Sequence, residues 1–249
     1  WDIKRLVKQV YMSATYKQSS VVTPEKLKSD PLNIYLSYAP RIRMNAEMVR
    51  DLVLSSSGLL QPIIGGPSVK PYQPPGLWEL ATSGRGLLAS YKQDHGDKLY
   101  RRGMYTFIKR TVPPPSMMIF DASNRDQCEV KRSRTNTPLQ ALIMMNDPTV
   151  LESSVALADL LVSGKQSTEA ALTTAFMRII NRRPGKQELD ILQEYWKEQD
   201  DYFKANPELV EKVVNKIGEY KLKNTPSPDL AAMVRTLQVI YNMDEAITK

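Results

Sequence analysis

A mostly α-helical, multi-helix bundle with an irregular proline- and glycine-rich middle is the fold class predicted by this 249-residue sequence. Three observations predict it. Apolar residues recur at helical spacing through most of the chain. A proline repeatedly follows a capping residue, as in Thr23-Pro24, Thr137-Pro138, Asp147-Pro148 and Ser227-Pro228, which is the first helical position, where its missing N–H leaves no bond unmade. Prolines at 67, 71, 74 and 75 then forbid long regular elements between Ile63 and Gly86. No fixed-period repeat is visible, which argues against a solenoid.

Ile3, Leu6, Val7 and Val10, with Asp2 as cap, predict an entry helix ending near Ser13. Thr23-Pro24-Glu25 starts a short helix, and Pro31 and Pro40 punctuate the loop after it. Met48, Val49, Leu52 and Val53 follow Asn45 as an amphipathic helix stopping between Gly58 and Pro62. The stretch from Ile63 to Gly86 reads as an ordered irregular loop anchored by Tyr72, Leu77 and Trp78. Tyr100 to Val112 fits helix and strand alike, and Pro113-Pro114-Pro115 ends it. Thr137-Pro138-Leu139-Gln140 predicts a capping box, the threonine serving the amide three residues on while Gln140 reaches back. Asn146-Asp147-Pro148 stops that helix and starts one carrying Val150, Leu151, Val155, Ala158, Leu161 and Val162. Further helices are expected from Ser167 to the break at Arg182-Arg183-Pro184-Gly185, from Gln187 to Ala205, from Glu208 to about Lys221 on Leu209, Val213 and Ile217, and from Ser227 through Tyr241.

A chain of this length buries roughly 70 to 75 percent of its unfolded surface, so one helical domain over residues 1–249 is expected, with 62–135 as an irregular basic insert within it. Composition is that of a soluble globular protein, at 42% hydrophobic and 24% charged residues with a mean hydropathy of −0.38. No apolar run reaches the ~18 residues of a membrane span. The opening WDIKRLVKQV is amphipathic, unlike a signal peptide, and lacks an initiator methionine, so the chain is expected to be a C-terminal fragment of a larger gene product. One cysteine, Cys128, excludes an internal disulfide.

Charge is concentrated. Between Arg101 and Arg134 lie Arg101, Arg102, Lys109, Arg110, Arg125, Lys131, Arg132 and Arg134 against Asp121, Asp126 and Glu129, which is +5 of a net +7. Two readings of the arginines stand. Arg110, Arg125, Arg132 and Arg134 converging on a groove would suit sulfate, carboxylate or phosphate groups. Paired instead with Asp121, Asp126, Glu129 and helix C-terminal carbonyls, they staple the irregular middle to the bundle, with Asn136 and Asn146 in the same role. Loops without ladders need such side-chain bonds, which favours stapling. The candidate binding residues are therefore Arg101, Arg102, Lys109, Arg110, Asp121, Arg125, Arg132, Arg134, Asn136 and Asn146.

Conventional catalysis is poorly supplied. His95 is the only histidine, so neither a zinc site nor a serine nucleophile has the partners it needs. Asp94 and Asp97 match a calcium loop only loosely, Gly65-Gly66-Pro67-Ser68-Val69-Lys70 lacks the spacing of a phosphate loop and reads as a tight turn, and no Cys-x-x-Cys-His is present to attach haem. Carboxylate pairs among Asp121, Glu129 and Asp147 leave a glycoside hydrolase as the catalytic alternative, against plain roles as a helix cap for Asp147 and as charge neutralisers for the other two. A pI near 9.3 attracts phosphate, yet no nucleic-acid recognition motif is found, and Lys212, Lys216, Lys221 and Lys223 read as a solvated face.

The phrases SATYKQSS, RIRMNAEMVRDLVLSSSGLL, GGPSVKPYQPPGLWEL, KRTVPPPSMMIFDASNRDQCEVKRSRTNTPLQALIMMNDP and AAMVRTLQVIYNMDEAITK, in this order, resemble the planctomycete-secreted-domain family, the match thinning between Gly164 and Pro226. Met233 stands where many relatives carry tryptophan, a change that touches packing. The family is a domain of unknown function at the C-terminal end of exported proteins of planctomycetes and related bacteria. The resemblance implies an upstream signal peptide, a companion domain and a c-type haem module, with no cofactor in this chain, and a periplasmic or secreted location. The expected function is a non-catalytic binding or scaffolding module whose partners are the upstream domains of the same polypeptide and an anionic polysaccharide, with no nucleic acid and no membrane span. The alternative is the carbohydrate-active hydrolase.

Overall fold

The computed structural model describes residues 1–86, 88–123, 125–164, 166–215 and 218–249. The chain divides into two units, residues 1–43 with 248–249 and residues 44–247.

The first unit opens with α1 (Ile3–Met12), where Asp2 accepts the Arg5 N–H at 3.0 Å, and continues with α2 (Pro24–Ser29), capped by Thr23. No residue of either helix is buried. The loop that follows is organised by one buried carboxylate: Asp30 accepts the N–H groups of Ile34 at 2.7 Å and Tyr35 at 3.0 Å. Asn33 brackets it by donating to the Tyr38 carbonyl and accepting the Tyr38 N–H. Ile42 and Lys249 exchange two backbone bonds, and Arg43 bridges antiparallel to Thr248, which ties the chain's last residues into this unit.

The second unit is the bundle: α3 (Ala46–Ser57), α4 (Leu77–Thr82), α5 (Pro115–Ile119), α6 (Pro138–Asn146), α7 (Pro148–Ser163), α8 (Thr168–Ile180), α9 (Lys186–Ala205), α10 (Val210–Val214), α11 (Pro228–Tyr241) and α12 (Asp244–Ile247). Among the described residues there are isolated β-bridges but no strand, so the mostly α fold class holds. Helix α11 packs on both α9 and α7, and α3 packs on α7. Leu230, Met233, Val234, Leu237 and Ile240 of α11 are all buried. A helix apolar on nearly every side belongs at the centre of a bundle. Tyr241 hydrogen-bonds Ser56 across 2.7 Å of buried space, and Arg178 Nε donates to the Ser56 carbonyl, so α11, α3 and α8 meet at one residue.

Proline starts are found at Pro24, Pro138, Pro148 and Pro228. The expected capping box at Thr137 is not made. The helix begins there, but Gln140 turns away to donate to the carbonyls of Ile119 and Thr135. The helix expected over 208–221 is cut to a 3-10 turn and α10, with Ile217 and Lys216 outside the described residues. Tyr100 to Val112 becomes neither a long helix nor a strand: 3-10 turns occupy Gly96–Tyr100 and Gly103–Tyr105, and Val69 pairs parallel with Thr106. Gly103 is the pivot, since a Cβ there would lie 2.7 Å from the Cα of Glu47.

Candidate functional site: a polar-floored cleft beside the basic insert

The candidate residues of the insert go to several different places. Arg101 is buried, its guanidinium donating to the carbonyls of Pro67 (3.0 Å), Ile63 (3.1 Å) and Gly65 (2.5 Å) while stacked 3.8 Å from the Tyr105 ring. Lys109 donates to the Leu88 carbonyl at 2.7 Å and lies 4.5 Å from the centre of the Trp78 ring. Arg132 pairs with Glu47 at 2.7 Å, and Arg125 also acts on that carboxylate. Burial works to raise the pKa of Glu47, but the Arg132 hydrogen bond, a backbone hydrogen bond and the charges of Arg132 and Arg125 together hold it below the ordinary carboxylate value. Asp121, in left-handed backbone at φ 56°, accepts the N–H and O–H of Thr135. Asn146 donates to the Leu142 carbonyl in its own helix. Arg102, Arg110, Arg134 and Asn136 are exposed. Asp147 caps α7 by accepting the Thr149 N–H at 2.8 Å. The arginines brought together are thus Arg125 and Arg132, and what joins them is α3.

Between α3, α7, α5 and the insert lies a cavity of about 50 Å³, open on one side. Val49, Val53, Met117, Phe120 and Met144 wall it, and its polar floor comprises Arg50, Thr106, Asp147 and Thr149. Arg50 is held from several directions. It donates to the carbonyls of Leu99 and Arg101 and, at 3.4 Å, to Thr149 Oγ1. Burial pushes its pKa down, while Asp147, Asp51 and Glu152 oppose that shift. Asp51 moves the other way from most carboxylates, raised by burial that the Gly103 N–H and Arg102 only partly offset. Thr106 is 6% exposed, and its hydroxyl has no protein partner.

Behind this floor is Glu152, fully buried on α7. Its Oε1 accepts the hydroxyls of Tyr72 (3.2 Å) and Tyr100 (2.9 Å) and the N–H groups of Glu219 (2.6 Å) and Tyr220 (2.7 Å). Burial and the neighbouring carboxylate push both tyrosine pKa values far up, so the phenols stay donors. Gly218 has to be glycine: its φ is +76°, and a Cβ would come within 2.2 Å of the Glu152 carboxylate. Two turns along α7, Asp159 collects the Tyr220 hydroxyl and the N–H groups of Lys223 and Asn224. Among the described residues no group of three or more His, Cys, Asp or Glu side chains is placed to hold a metal ion, and no helix is long and apolar enough to cross a membrane.

The family PSD1, described as protein of unknown function (DUF1553), matches residues 1–196. The chain belongs to PSD1. The matched residues include every cavity residue and both Glu152 and Asp159, and they stop within α9. The AAMVRTLQVIYNMDEAITK segment lies beyond them. Comparison with curated proteins and with solved structures returned no match.

Sequence reasoning passed over Arg50, Thr106, Glu152 and Gly218. One signal for Glu152 and Asp159 was present: two carboxylates seven residues apart in an otherwise apolar helix share one face and point inward together. Thr106 carries no such signal, because its isolation follows from tertiary placement alone.

Proposed function

We propose that this PSD1 chain is a non-catalytic binding and scaffolding module of a larger extracytoplasmic protein, periplasmic or secreted, which docks through its N-terminal unit onto companion domains of the same polypeptide. The observation that carries the reading is the bare apolar face of that unit. Ile3, Leu6, Val7 and Val10 form one stripe of α1 and are 44% to 70% exposed, while Lys4, Arg5 and Lys8 occupy the opposite side. Leu32, Ile34 and Tyr35, on the loop organised by Asp30, are 71% to 82% exposed. Apolar surface of this extent is characteristic of an interaction site. The irregular backbone of 31–38 favours a protein partner over the interior of a bilayer, where such backbone goes unsatisfied.

Within this reading a c-type haem belongs to a companion domain, as the family resemblance implies, and an anionic polysaccharide is the ligand class suited to the exposed Arg102, Arg110, Arg125 and Arg134. The hydrolase reading draws no support from Asp121, both of whose carboxylate oxygens accept from Thr135. Cross-linking of the full-length protein through lysine amines, read by mass spectrometry, tests the docking. Lys4 and Lys8 are expected to link to residues outside this chain, and Leu6→Asp to abolish those links; links confined to this chain in the full-length protein would overturn the reading.

A further inference from the structure

We propose that the cleft between α3, α5, α7 and the insert binds a neutral polyhydroxylated ligand, a single hexose residue or small polyol that inserts one hydroxyl-bearing edge. This site is independent of the N-terminal docking face. Its volume of about 50 Å³ exceeds the roughly 10–15 Å³ that one water needs, which suits a few ligand atoms and excludes a whole oligosaccharide.

The chemistry of the floor selects the class. Arg50 carries five N–H donors, of which three are engaged by Leu99, Arg101 and Thr149, so donors remain for a ligand. Asp147 engages Oδ1 with the Thr149 N–H and keeps Oδ2 as an acceptor. A ligand carboxylate would face Asp147, and a ligand ammonium would face Arg50. A hydroxyl both donates and accepts, so it satisfies a floor of mixed sign without a like-charge contact. Thr106 supplies the second, independent indication: a hydroxyl buried to 6% exposure without a protein partner is disfavoured unless something else bonds it. The apolar walls and the Tyr72 ring then present surface against which the C–H face of a sugar packs.

The test is titration of the 249-residue chain with glucose, galactose, mannose and glycerol, alongside glucuronate and glucosamine, followed by ligand-observed NMR. At least one neutral probe is expected to bind, with both charged sugars weaker by on the order of tenfold, the loss set by one unfavourable charged contact. Thr106→Val, which keeps shape and removes only the hydroxyl, is expected to weaken binding by about tenfold while leaving the unfolding midpoint unchanged or raised. Thr106→Ser keeps the hydroxyl and should retain binding. Asp147→Asn preserves a helix cap and is expected to bring glucuronate to the level of the neutral sugar. Absence of binding by every neutral probe overturns the proposal. So does equal binding of charged and neutral sugars, or unchanged binding by Thr106→Val.

Discussion

Helix α7 and the stretch from Gln61 to Val112 bury side chains by opposite means. In α7 the backbone satisfies itself, so its side chains are free to pack, and Val155, Ala156, Leu157 and Ala158 are all at most 2% exposed. Outside α4 and two 3-10 turns, the described residues of the irregular stretch have no ladder of their own. Its carbonyls at 63, 65 and 67 are served by Arg101, those at 99 and 101 by Arg50, that at 71 by Tyr91, and that at 88 by Lys109. The contrast teaches where charge goes when regular structure stops: Arg50 on α3 and Arg101 and Lys109 of the insert work as hydrogen-bond donors to main chain.

The strongest way to break the contrast is through the bundle. Leu157→Ala leaves a cavity at a site with no exposure, and a loss of about 3–4 kcal/mol in denaturant unfolding is expected, shared by every helix of the second unit. Arg101→Ala sharpens it from the other side. About 2 kcal/mol is expected to be lost, expressed locally as faster amide hydrogen exchange at Gly65 and Val69 with α7 and α11 unchanged. If Arg101→Ala instead unfolds the bundle with the loop, the two regions are one cooperative body and the contrast fails.

Asp159 gives the smallest effect and a pH signature. Burial works to raise its pKa, but the Lys223 N–H, the Tyr220 hydroxyl and Asn224 outweigh it and hold the native pKa below the ordinary aspartate value. A depressed native pKa contributes stability that is present in full above the unfolded value, near 3.9, and is lost as pH falls through the native value. Asp159→Asn is expected to cost about 1–2 kcal/mol at neutral pH and to flatten the acid limb of the stability curve below about pH 4. A limb as steep as in the unsubstituted chain would assign the acid sensitivity to other carboxylates.

How much of this was legible in the sequence follows from the range of each interaction. Pro24, Pro138, Pro148 and Pro228 act on the residues beside them, so these helix starts were readable where they stand. Gln140 was misread because its side chain had two partners in reach, the near backbone and the more distant Ile119 carbonyl, and tertiary packing chose the latter. The arginines were recognisable as structural donors or ligand donors, but not their partners. Expected partners were Asp121, Asp126, Glu129 and the C-terminal carbonyls of helices; the observed ones include Glu47 and the carbonyls of 63–67, to which no sequence pattern points. The cleft was illegible for the same reason, being assembled from residues between 46 and 150 that share no motif.

The four donors on Glu152 also order the chain in time. Tyr72 and Tyr100 precede that carboxylate during synthesis, whereas Glu219 and Tyr220 follow it by 67 and 68 residues. A nascent chain that has emerged only to Ser163 has the whole of α7 and half of the donors for its buried acid. Closure of this centre is therefore a late, long-range step, of the kind that slows folding, and the loop after α10 is the segment on which it waits.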